Sequence, residues 1–155
     1  MSALKLAAAA ATSLLALSPS LAHADSCQGT PGTARLDVFI DGVRSAKGQI
    51  TSSLYGGERS QFLVKNGALK VWSTPASAPT TRMCIWLKNG PGTYALAVYH
   101  DANSNGKWDH SLLTGIEGFG FSNDPHVVFS APKFDESKFE AKAGVTTLHV
   151  RLRYP

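Results

Sequence analysis

Between positions 101 and 109 the chain reads Asp-Ala-Asn-Ser-Asn-Gly-Lys-Trp-Asp. Oxygen-bearing side chains stand at Asp101, Asn103 and Asn105, with a glycine directly after the third. Alternate residues of a tight loop can aim short oxygen ligands at one centre, and Gly106 permits a reversal that a Cβ would obstruct. This is the first half of a calcium-binding loop: three side-chain ligands, then the Lys107 carbonyl, then Asp109 directly or through water. A full EF-hand loop carries a bidentate acid three residues after Asp109, where this chain has Leu112. Glu117 and Asp124 are the acids that could fold back to replace it. With two certain carboxylates, a calcium affinity belongs to the extracellular class, ~10⁻⁴–10⁻³ M. The same residue types also build ordinary Asx-capped turns, so a cation loop and a metal-free turn both stand.

His100 and His110 bracket this stretch and raise a transition-metal alternative. Strand parity sends His100 with Leu96 and Val98 toward a core and Asp101 the other way, which reads as a packed, hydrogen-bonded core histidine. Trp108 lies inside the loop, where its ring is either a contact for a sugar or peptide or a lid over apolar residues beneath it. Nucleophile elbows, zinc-protease helices, P-loops and dinucleotide fingerprints are missing from the sequence. No catalytic residue is assigned. Asp101, Glu117 and Asp124 would have to supply any glycan-active carboxylate pair, the most remote of the readings.

The elements that position these residues are short and alternating. Leu36, Val38 and Ile40 alternate with Arg35, Asp37 and Asp41, the period of a half-buried strand. Ile50/Leu54, Met83/Ile85/Leu87, Tyr94/Leu96/Val98 and Leu148/Val150/Leu152 repeat the pattern. Asn66-Gly67, between runs at 62–64 and 69–72, predicts a hairpin. Residues 135–143 alone resemble a short helix. About eight strands separated by Gly, Pro and Asn turns predict an all-β fold, an antiparallel β-sandwich. Gly118 and Gly120, flanking Phe119, suit a twisted or bulged strand better than a phosphate cradle.

The first 24 residues carry Lys5, an apolar run over 6–17 and Ala22-His23-Ala24, the three parts of a cleavable export signal. The apolar run is too short to span a bilayer, and no later one is long enough. Residues 25–33 then form a flexible Gly/Pro/Ser/Thr segment, and 34–155 a single domain, periplasmic or secreted. The formal net charge is +4, modest and scattered, which argues against nucleic acid. Cys27 and Cys84 are the only cysteines, and two in an oxidising compartment read as one disulfide.

The run Gly90-Pro-Gly-Thr-Tyr-Ala-Leu-Ala-Val-Tyr-His-Asp-Ala-Asn-Ser-Asn-Gly-Lys, followed by Gly115-Ile-Glu-Gly-Phe-Gly-Phe-Ser-Asn-Asp, resembles the bacterial family known as domain of unknown function 2141. The likeness continues through Pro132-Lys-Phe and Phe139 to the closing strand. It implies an exported, transthyretin-like or immunoglobulin-like sandwich with Phe139 on a strand, and it carries no catalytic residues. The expected role is an exported module that binds a ligand or an envelope partner, with calcium organising 101–109. A metal-free structural or envelope-associated protein is the alternative.

Overall fold

The computed structural model describes residues 27–111, 115–127 and 130–154; the export segment expected at 1–24 and Leu112 lie outside them. Alternating burial defines β1 (Ala34–Asp41), which turns Leu36, Val38 and Ile40 fully inward. β2 (Gln49–Tyr55) does the same with Ile50, Ser52 and Leu54, and the Ser52 hydroxyl donates to the Met83 sulfur at 3.0 Å. After a 3₁₀ turn at Arg59–Gln61 come β3 (Lys70–Pro75), β4 (Thr80–Trp86) and the ten-residue β5 (Gly92–Asp101). A small hairpin of β6 (His110–Ser111) and β7 (Gly115–Ile116) precedes β8 (Phe119–Phe121). One helical turn, α1 (Phe134–Ser137), leads into β9 (Lys138–Ala141) and β10 (Gly144–Arg151).

Two sheets form a β-sandwich. One runs β10-β1-β4; the other runs β3-β2-β5-β8, with β9 also paired to β5. Among the described strands all pairings are antiparallel except β1 with β10, which is parallel from Ala34↔Gly144 to Asp41↔Arg151. The inner faces interleave Leu36, Val38, Ile85 and Val150 with Ile50, Trp72, Leu96 and Val98. Each such side chain stabilises the fold by roughly 1.5–3 kcal/mol through burial. β8 ties the sheets together on one side, because Phe119 and Arg153 exchange backbone bonds at 2.9 and 2.8 Å. Gly120 makes that approach feasible: a Cβ there would stand 2.6 Å from the Arg151 carbonyl oxygen. The Cys27–Cys84 disulfide fastens the N-terminal segment to β4, and Gln28 bonds the Cys84 carbonyl and the Trp86 N–H beside it.

Two local expectations change. Residues 62–64 are not a strand, and Asn66-Gly67 does not join a hairpin. Leu63 and Asn66 both take positive φ, and β3 pairs with β2 instead. The reason is tertiary. Phe62 folds over the outer face of the five-stranded sheet, edge-on to Tyr55 (5.2 Å) and Phe134 (5.8 Å), and forms a second small cluster there. Burying that ring outweighs extending the local chain. The ambiguous segment 135–143 divides: its start belongs to α1, while Phe139 sits on β9 opposite Tyr94.

Candidate functional site

β5 delivers the loop. Its last residue, Asp101, is fully buried in register with Gln49 of β2. The Asn105 N–H donates to Asp101 Oδ1 at 3.0 Å, and the Gly106 N–H (2.9 Å) and Gln49 Nε2 (3.2 Å) donate to Oδ2. Asn103 Oδ1 accepts from the Asn105 N–H at 3.0 Å, and Asn105 Oδ1 accepts from the Lys107 N–H at 2.8 Å. The side-chain amides of Asn103 and Asn105 both reach Asp109 Oδ2 at 2.8 Å. Asp109, Asn103 and Asn105 are thereby drawn to one point. Gly106 turns the chain at φ +76° with open space around it.

Glu117 is brought to the same loop. It is 4 % exposed, and its two oxygens accept from the Ala102 N–H (2.8 Å) and the Asp109 N–H (3.0 Å), clamping both ends of the loop. Asp124 is not brought there: Arg153 draws it into an exposed ion pair at 2.8 Å, so it is not a loop acid. Among the described residues no lysine or arginine pairs with Asp101, Asp109 or Glu117. Every acceptor in the set is an oxygen, the ligand type of a hard cation, though at Asp109 it is the Asn103 and Asn105 amide nitrogens that face the carboxylate. His100 stands apart. Its Nε2 donates to the Lys47 carbonyl at 2.8 Å, which leaves Nδ1 to accept from the Tyr154 hydroxyl at 2.8 Å. Both ring nitrogens are committed, so His100 is a buried, hydrogen-bonded core histidine. The one close cluster of three His, Cys, Asp or Glu ligand atoms among the described residues is Cys27, Cys84 and Asp37, not the loop acids. Its sulfurs are joined in the disulfide, and Asp37 is held by Arg35 and Arg82.

Two neighbours of the site carry no signal in the local sequence. Gln49 is one; its amide meets Asp101 only because β2 lies beside β5. Gly48 is the other. At φ +67°, a Cβ on it would fall 2.0 Å from the Asp101 carbonyl oxygen. Gly48→Ala is expected to cost about 2 kcal/mol through left-handed strain and displacement of the loop entrance. Urea denaturation reads this, and an unchanged midpoint would mean the two backbones separate without penalty.

Trp108 joins the loop to a groove. Its indole N–H donates to the Glu117 carbonyl at 3.3 Å, and its ring lies edge-on to Phe119 at 5.3 Å, yet 41 % of the residue stays exposed. With Tyr55, Tyr99, Phe119 and Phe121 it lines a groove of about 580 Å³. Burial pushes the Tyr99 phenol above its ordinary range, a hydrogen bond with Thr51 opposes this, and the charges of Asp101 and Glu117 add to the rise.

Residues 38–149 match the family described as "Uncharacterized protein conserved in bacteria (DUF2141)". No curated protein and no solved structure matches the chain.

Proposed function

The chain belongs to this family of uncharacterized bacterial proteins, and we propose that it is an exported binding module whose 101–109 loop is organised by calcium. The ion is held by Asp101, Asn103, Asn105, the Lys107 carbonyl and Asp109. Glu117 positions the loop by clamping its two ends. The cation's role is to neutralise the carboxylates and fix Trp108 at the edge of the aromatic groove, where a ligand or envelope partner stacks. The observation that carries this reading is the gathering of Asn103, Asn105 and Asp109 beside a buried Asp101 whose carboxylate is hydrogen-bonded but has no lysine or arginine partner among the described residues. The export signal at 1–24 and the disulfide support an oxidising, calcium-containing compartment.

A metal-free structural module is the second reading, favoured by the loop's own amide bonds to Asp109, which close it without an ion. Thermal melting in 10 mM calcium against chelator separates the two. For a dissociation constant in the extracellular class, calcium stabilises by about 2 kcal/mol and raises Tm by about 5–10 °C. Asp109→Ala, at a half-buried position, is expected to lose most of that rise and to melt near the wild type in chelator. Identical wild-type melts in calcium and in chelator would exclude the cation reading.

A further inference from the structure

A second cleft opens at the other end of β5 from the loop. It lies between the edge strands β3 and β4, where the two sheets part, and encloses about 650 Å³, within the range of small-molecule sites. Leu54, Ile85, Leu87 and Tyr94 form its apolar floor, and Leu69 stands on its wall, 52 % exposed. The segment 29–32 closes one side, held in place by the disulfide and by Gln28 along β4.

The charges around this cleft are of one sign. Lys70 and Lys88 line it and are both exposed, while no carboxylate is among its lining residues. Neither lysine forms an ion pair among the described residues. An apolar floor beneath two free ammonium groups complements a molecule with a hydrocarbon body and an anionic end. We propose that this cleft binds a single-chain fatty acid, with the chain against Leu54, Ile85, Leu87 and Leu69 and the carboxylate between Lys70 and Lys88. The apolar stretch at 6–17 fits the cleft less well, because its flanking charge is Lys5, of the same sign as the rim. The proposal is independent of the calcium loop.

Calorimetric titration with octanoate, decanoate and dodecanoate below their micelle concentrations tests it, with alkyl maltosides of equal chain length as neutral controls. The full chain and a form beginning at Asp25 are both titrated, in chelator so that calcium plays no part. Saturable one-to-one binding is expected, tightening about 2- to 4-fold per added methylene. The double variant Lys70→Ala/Lys88→Ala is expected to weaken fatty-acid binding about 5- to 10-fold with its ligand-free Tm unchanged. The same variant leaves any maltoside binding untouched, and Leu69→Asp on the exposed wall weakens both. Absent or unsaturable binding, or equal binding to the double variant, would overturn the assignment. So would exclusion of the fatty acid by a dimer, or by residues 6–17 in the full chain, each of which would name the occupant instead.

Discussion

Cys27→Ser is expected to lower stability by about 4 kcal/mol and Tm by roughly 15 °C, the largest single-site effect in the molecule. The disulfide spans a sequence separation of 57 residues, so its removal returns a long loop's freedom to the unfolded chain. In the folded state the N-terminal segment keeps the Gln28 bonds to Cys84 and Trp86 and the bond from the Leu87 N–H to the Ala34 carbonyl. The native packing therefore survives while the reference state gains entropy. Urea denaturation of Cys27→Ser, Cys84→Ser and the double variant checks this. The three midpoints should nearly coincide, and reductant should shift only the wild type. A single variant with the wild-type midpoint under oxidising conditions would show that the crosslink constrains little. The same substitutions also loosen the segment 29–32 that walls the apolar cleft.

Asp101→Ala is expected to cost about 3 kcal/mol even in chelator, and to abolish any stabilisation by calcium. The carboxylate is fully buried and satisfies three donors: the Asn105 and Gly106 N–H groups and the Gln49 amide. Truncation removes the acceptor of the Gly106 N–H and the Gln49 amide and leaves the Asn105 N–H only its bond to Asn103 Oδ1, so the loop loses the centre it wraps around. Asp101→Asn recovers part of the loss, since one amide oxygen can still accept, but its NH₂ then faces a donor. Asp109→Ala provides the contrast. It removes a ligand and the meeting point of two exposed amides, so its effect is expected mainly in the calcium response. If Asp101→Ala melted with the wild type in chelator, the buried carboxylate would not be what shapes the loop.

The strands were legible wherever one face alone is buried. Leu36, Val38 and Ile40 announce β1, and Leu148 and Val150 announce β10, because the period of two and burial coincide there. The pattern failed where a second layer covers the outer face. Phe62 looks like a strand residue until the Tyr55–Phe121–Phe134 face exists for it to cover. The tight turn at 101–109 was legible from the spacing of Asp101, Asn103, Asn105 and Gly106, since its hydrogen bonds are set within nine residues of chain. Glu117 was a candidate only by residue type, and Asp124 was equally plausible on that ground. What divides them is the path of β8 and the position of Arg153, neither of which is encoded locally. Gly48 and Gln49 left no local trace, because they meet Asp101 across some fifty residues of sequence.

β1 lies between β4 and β10, and its partners arrive at very different times. Arg35 meets Trp86 on one side, whereas Ala34 meets Gly144 on the other. A chain delivered from its N-terminus can assemble β2, β3 and the first part of β5, and close the Cys27–Cys84 link, while β1 still has one edge empty. The three-stranded sheet completes only when residues 144–151 reach β1. Such distant pairing places folding in the slow, millisecond-to-second class. It also means that the edge of β1 facing β10 stays open until residues 144–151 arrive to cover it.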